Sequence, residues 1–510
     1  MDQRPPRAWM WWLAGIALLG YGIDWGLPAV RCRAPDNLVL DGRWAEEGRD
    51  LSTANTDKYP PLVYLHMEAA FVVVRPIVRA WFVDPLWRAS AFLLAARATS
   101  AVCVLLAAAL VGAAAARRGG PTARLPAAML LLVSPLSMYY ARTSNAEAGM
   151  LLYVALAWYA LERYRADASI WAALLAGVAV GCAAAAKDQA AFALVGPLLV
   201  TLAPCRGAAP TGGGRCRALG AACAAALGAY ALVYGAWGGW PRLVAHYHGM
   251  TTIAEGFYAY GTSPTELGAL LLAFGRDLAV AAGPIALLAV LAVRARASDG
   301  LAHGWLRACG WSIVPYALSI LFLAHRTYPR FALPLLPPLA ALAGVELTHL
   351  FARRPRVAWA VSGAAVLWGF GIVAQLAHAP VDRARVAIEA MVANGDLDPR
   401  ARLALFTLTR DAPRYRRGPA GEMVAVPAVR EWTFERFGSI PADLPHESLL
   451  PEQAPRLAIE GRFTLAITLD DDGIAELPGF ERVARMDPLF PGAYRWLHEP
   501  PGATVWRARR

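Results

Sequence analysis

Long apolar runs recur along the first three quarters of the chain, separated by short polar stretches in which arginine predominates. A bilayer core of roughly 30 Å takes about 20 apolar residues in helical form. Windows of that kind lie near 9–28, 90–115, 124–141, 147–163, 170–186, 189–204, 218–237, 267–293, 307–325, 330–350 and 357–378. The pattern predicts a polytopic α-helical membrane protein with about eleven transmembrane helices.

The arginines orient these helices, because cytoplasmic loops hold the excess of Lys and Arg. With the N-terminus inside, Arg117-Arg118, Arg163 with Arg165, Arg206 with Arg215 and Arg217, Arg294 with Arg296, and Arg353-Arg354-Arg356 all fall on the inner side. Residues 61–80 are apolar too, yet counting them as a span would invert every later loop. They also carry His66, Glu68, Arg75 and Arg79, so they are expected to form an amphipathic, juxtamembrane helix at the outer interface. The first apolar stretch follows Arg4-Pro5-Pro6-Arg7 and ends near Arg31 and Arg33 rather than at a small-residue cleavage site. It reads as an uncleaved helix.

Past residue 378 the pattern changes to prolines, charges and short alternating runs such as 403–409, 463–469 and 504–507. Residues 1–378 are therefore expected to be the membrane domain and 379–510 a small extracytoplasmic α/β domain. Asp470-Asp471-Asp472-Gly473 fits a solvated turn better than a calcium site. The Gly212-Gly213-Gly214 run has no following Lys-Ser/Thr and reads as a linker.

Composition agrees with lipid embedding: 57% hydrophobic and 17% charged residues, with mean hydropathy +0.39. The formal charge of +11 is spread over short loops rather than gathered on one face, which argues against a nucleic-acid partner. Seven cysteines, without a C-x-x-C pair, outline neither a disulfide framework nor a metal site.

Ionisable groups collect on the side assigned as outer. Asp36, Asp41, Glu46, Glu47, Asp50 and Asp57 precede Lys58-Tyr59-Pro60-Pro61; further on come Arg142, Asn145 and Glu147, then Lys187-Asp188, then His325-Arg326-Thr327-Tyr328-Pro329-Arg330. Carboxylates beside cations suit transfer from a lipid phosphate. A carboxylate takes the acceptor proton, and cations neutralise charge growing on the leaving phosphate.

Taken in order, Pro35-Asp36-Asn37, Lys58-Tyr59-Pro60-Pro61-Leu62-Val63-Tyr64, Ala96-Arg97-Ala98-Thr99-Ser100, Ser134-Pro135-Leu136 through Tyr139-Tyr140-Ala141-Arg142 to Glu147, Ala184-Ala185-Ala186-Lys187, and Arg330 to Pro338 resemble the C-type integral-membrane glycosyltransferases. The resemblance is in particular to bacterial relatives of the protein O-mannosyltransferases and the aminoarabinose transferases, over most of residues 9–350. The resemblance implies a polyprenyl-phosphate-linked sugar as donor and a protein, glycan or lipid as acceptor, with transfer at the outer face of the cytoplasmic membrane. It implies Asp36 as general base and Glu147 as the second acidic position. Lys187 and Arg330 would contact the carrier phosphate, with Arg326 and Tyr328 nearby and Lys58, Tyr59 and Arg142 in the substrate site. Asn37 stands where the family often has Glu, so a divalent cation is left open and no other cofactor is implied. The expected reaction is a single inverting displacement. Two other readings are a lipid or sugar transporter or flippase, and a relative that binds carrier lipid without turnover. Arg97 is expected to anchor a helix end.

Overall fold

The computed structural model describes residues 8–24, 60–202, 212–237, 239–255, 260–295 and 300–378, and from the C-terminal part 391, 393–395, 403–406, 414–417, 423–426, 446–449, 463–469, 475–486 and 503–509. Fifteen α-helices run in chain order among these residues. They are α1 (Ala8–Gly20), α2 (Leu62–Trp81), α3 (Pro85–Gly119), α4 (Arg124–Leu132), α5 (Pro135–Tyr140), α6 (Ala146–Asp167), α7 (Ile170–Ala186) and α8 (Ala190–Leu202). There follow α9 (Gly212–Trp237), α10 (Trp240–Glu255), α11 (Pro264–Ala282), α12 (Pro284–Ala295), α13 (Gly300–Ser319), α14 (Leu336–Arg353) and α15 (Pro355–His378).

By length and composition, four helical segments among the described residues can cross a membrane: Trp87–Gly119, Gly214–Ala236, Arg307–Ala324 and Pro329–Arg353. A fifth arises if the bent pair α11–α12 is one span. Two of the expected spans are broken. The stretch 124–141 divides into α4 and α5, because Pro135 has no N–H to continue the helix and holds Ser134 extended at φ −60, ψ 132. The stretch 267–293 turns by 99° between α11 and α12. Gly283 makes that corner at φ 49, where a Cβ would also press on the Trp368 indole. The Gly212–Gly214 run, read as a linker, instead opens α9. The stretch 61–80, expected to be a helix at the outer interface, is helical as α2.

Small residues let the helices approach closely. A Cβ on Gly177 or Gly181 of α7 would collide with the carbonyl oxygens of Ala222 and Ala226 on α9, the close contact that small-xxx-small spacing permits in lipid. The main buried cluster draws on α2, α3, α4, α6, α7 and α14, through side chains such as Tyr64, Phe92, Leu131, Leu151 and Leu342. Three arginines expected only to mark inner loops, or to anchor ends, tie helices together. Arg118 Nε donates to Glu162 Oε2 at 2.7 Å, and Arg165 donates to Glu162 Oε1 at 2.5 Å and to Thr201 Oγ1 at 2.9 Å. Arg97 donates to the Ile23 carbonyl at 2.8 Å, just past α1, which is the helix-end role expected of it.

Beyond α15 the described elements are strands. β1 (Leu403–Phe406), β4 (His446–Leu449), β5 (Leu465–Leu469), β6 (Phe480–Met486) and β7 (Ala503–Ala508) form one sheet in the order β4-β1-β5-β7-β6, while β2 (Arg414–Arg417) and β3 (Met423–Val426) pair separately. β1 runs parallel to both β4 and β5, with Leu403 opposite His446 and Leu465; the other pairs are antiparallel. Parallel neighbours need long crossover connections. Asp470-Asp471-Asp472-Gly473 lies outside the described residues.

Candidate functional site

The site is assembled from two helix ends and one irregular loop. α6 begins after Asn145, which is extended, and carries Glu147 in its first turn, where a carboxylate is favoured by the helix dipole. α7 stops at Ala186, and Lys187 leaves it in an extended conformation, its N–H still donating to the Ala183 carbonyl at 2.9 Å. Lys187 Nζ then donates to Glu147 Oε1 at 2.6 Å, with side chains 12% and 1% exposed. Burial pushes the Lys187 ammonium below the usual lysine range; Glu147 works against that shift, and the positive charge of Arg330 works with it. The other carboxylate oxygen, Glu147 Oε2, is buried and has no partner among the described residues.

The loop arrives from α13. Its last turn is π-helical over Ile320–Ala324, and His325 ends it at φ 44, donating its N–H to the Ile320 carbonyl at 2.9 Å. Thr327 Oγ1 donates to Asp277 Oδ2 of α11 at 2.9 Å, which pins the loop. A 3-10 turn, Pro329–Leu335, follows directly. It sets the Arg330 guanidinium 5.3 Å from the Tyr328 ring and 5.9 Å from that of Phe331. The same Phe331 ring lies 5.7 Å from Lys187 Nζ, so one buried aromatic faces two cations. Arg330 acts electrostatically on both Glu147 and Lys187, and Arg326 on Lys187. Glu147 and Lys187 thus share a site with the Arg330 guanidinium, and Arg326 adds its charge on the Lys187 side, a gathering of cations of the kind that meets a phosphate.

The structure therefore brings together Glu147, Lys187, Arg326, Tyr328 and Arg330. Arg142 is differently engaged. Its side chain is fully buried, and it donates to the carbonyls of Tyr21 at 2.8 Å, Met138 at 2.7 Å and Leu18. It joins the end of α1 to α5. Asp36, Lys58 and Tyr59 lie outside the described residues, as does Asn37. Among the described residues no group of three His, Cys, Asp or Glu side chains is placed to hold a metal ion.

Sequence reasoning passed over Phe331, Asp277 and Tyr316, whose buried hydroxyl feels the charges of Glu147 and Arg330. Asp277 had a signal, an acid inside an apolar run. Lys187 had a stronger one: of 49 Lys and Arg residues only Lys58 and Lys187 are lysine. In a chain that otherwise uses arginine, those positions call for a compact ammonium rather than a planar guanidinium.

The family model described as dolichyl-phosphate-mannose-protein mannosyltransferase matches residues 74–210. No match was found among curated protein sequences. Among solved structures the chain is similar to ArnT from Cupriavidus metallidurans in the apo state, at 16% identity and TM-score 0.52, covering 98% of this chain and 97% of that one. The same protein bound to undecaprenyl phosphate aligns at 15% identity and TM-score 0.49, covering 98% and 97%. The Archaeoglobus fulgidus oligosaccharyltransferase tethered with an acceptor peptide aligns at 11% identity and TM-score 0.43, covering 91% and 70%. An apolar helical body of this topology, aligned end to end with ArnT, has the C-type glycosyltransferase fold of integral membrane proteins.

Proposed function

We propose that the chain is a membrane glycosyltransferase that moves a sugar from a polyprenyl-phosphate carrier to a hydroxyl-bearing acceptor at the outer face of the cytoplasmic membrane. The observation that carries the reading is the convergence of a buried carboxylate, Glu147, with the half-buried Lys187 and Arg330, and of Arg326 on Lys187. A carrier phosphate gains negative charge as the glycosidic bond breaks, so cations fixed in a low-dielectric site favour the transition state over the donor.

In this reading the acceptor oxygen attacks the anomeric carbon with inversion, its proton passes to Asp36, and the polyprenyl phosphate leaves with the bonding electrons. Glu147 holds Lys187 in place through Oε1, while Oε2 is free to accept a hydroxyl of the bound sugar. Arg330, braced on Tyr328 and Phe331, meets the phosphate beside Lys187. ArnT has been solved with undecaprenyl phosphate, and a carrier of that class is the natural first probe. The donor enters sideways from the lipid, and the segment after residue 378 lies outside, where it meets the acceptor.

The test is sugar transfer from a radiolabelled undecaprenyl-phosphate sugar in proteoliposomes. Lys187→Met should lower kcat by about 100-fold or more, as loss of one preorganised charge at a transition state does. Unchanged transfer in Lys187→Met would remove the phosphate role. Movement of labelled carrier across the bilayer without any transfer would favour a flippase.

A further inference from the structure

The turn between α7 and α8 carries two charged side chains in succession. Lys187 is extended at φ −162, ψ 115, and in extended backbone consecutive side chains leave on opposite faces. Lys187 turns to Glu147 and Phe331; Asp188 turns the other way, to His246 of α10. Asp188 Oδ2 is 3.0 Å from His246 Nε2. A carboxylate only accepts, so Nε2 is the donor.

His246 occupies an unusual place on its helix. It is 2% exposed, while Trp240, Val244 and Tyr247 of α10 are 73%, 49% and 50% exposed. Of the α10 side chains whose burial is described, His246 alone is buried, and none from this helix joins a hydrophobic cluster of the described residues. Among the described residues, polar contacts tie α10 to the body: His246 to Asp188, and Tyr247 OH to Tyr230 OH of α9 at 3.1 Å. The His246 ring is flanked by Tyr234 and Tyr247, with centroids at 6.2 and 5.6 Å.

We propose that Asp188 and His246 are positioning residues: the hydrogen bond that docks α10 onto the α7–α8 turn also fixes that turn, and so keeps Lys187 on Glu147. They act through the backbone of residue 187, and calling that residue part of the carrier site rests on the function proposed above.

Because Lys58 and Lys187 are the only lysines, reductive methylation of the folded protein followed by peptide mass spectrometry reads Lys187 by itself. His246→Phe keeps the ring among the tyrosines and removes the donor; Asp188→Ala removes the acceptor; His246→Gln restores an N–H near the Nε2 position. In His246→Phe and Asp188→Ala, Lys187 should be methylated about 10-fold faster than in the wild type, as local opening of the turn requires. In His246→Gln the rate should stay within about threefold of wild type if the hydrogen bond is what closes the turn. Transfer should lose about 10- to 100-fold in kcat in the first two variants, the cost of a small misplacement of a catalytic group, with KM within about twofold. Wild-type methylation rates in both His246→Phe and Asp188→Ala, or a His246→Gln variant as reactive as His246→Phe, would overturn the proposal. If the wild type transfers no sugar, the function proposed above fails, while the methylation rates still decide the positioning role.

Discussion

The Glu147–Lys187 contact gives the sharpest energetic test of the site. Its charges approach to 2.6 Å with little exposure, so at an effective dielectric near 20 their attraction is about 6 kcal/mol. Removing water from two ions costs several kcal/mol for each, and the net value of such a pair lies near zero. Losing one partner is different, since it strands the other charge, at about 3–5 kcal/mol. The two single variants are not equivalent. Lys187→Met leaves Glu147 still under the positive charge of Arg330, whereas Glu147→Leu leaves the Lys187 ammonium under the like charges of Arg330 and Arg326 without the Glu147 carboxylate. Glu147→Leu should therefore cost near the upper end, about 5 kcal/mol, and Lys187→Met near the lower, about 3 kcal/mol. The double variant, which removes both charges together, should cost less than either single, so the two costs are far from additive. The assay is reversible unfolding in mixed micelles, followed by tryptophan fluorescence, on all four proteins. Costs that add within about 0.5 kcal/mol, or a Lys187→Met variant less stable than Glu147→Leu, would refute the argument.

Further outcomes follow from the same contacts. Lys187→Arg should fold yet lose about 10-fold or more in kcat, because a planar guanidinium cannot reproduce a point charge set between Glu147 and Phe331; full activity would remove the case for a compact ammonium. Gly181→Leu should abolish accumulation of folded protein, as its side chain would enter the Ala226 carbonyl, an overpacking cost of about 3 kcal/mol or more, visible as loss of the monodisperse peak on size exclusion. Glu162→Leu should destabilise by about 3 kcal/mol by removing the carboxylate that Arg118 and Arg165 share, measured by the same micellar unfolding, while kcat of the folded fraction stays unchanged.

Helical, membrane-embedded character was legible in the chain because it depends on composition and run length, which are one-dimensional. So were strands within 403–409, 463–469 and 504–507, the stretches that β1, β5 and β7 overlap. The grouping of Glu147, Lys187, Arg326, Tyr328 and Arg330 was anticipated only through resemblance and loop order. What placed them together is tertiary: the start of α6, the end of α7 and a π-ended loop pinned by Thr327 to Asp277 meet in space although far apart in sequence.

Other features had no linear signal. A hydropathy window averages over a proline or glycine, so it misses the break at Ser134-Pro135 and the 99° corner at Gly283. Counting arginines assigns sides to loops but does not distinguish a solvated charge from Arg118 and Arg165, half-buried on Glu162, or from Arg142, which donates to carbonyls of α1 and α5. The role of His246 needed coordinates for the same reason. Periodicity reports which residues share a face of a helix, but only packing decides that α10 turns its apolar side outward and its histidine in toward Asp188. Sequence by itself determined that this protein resides in lipid and which residue types were available for chemistry. Tertiary structure decided which of those charges are partners, because partnership depends on distance, and distance between remote segments is set by the packing of all the helices together.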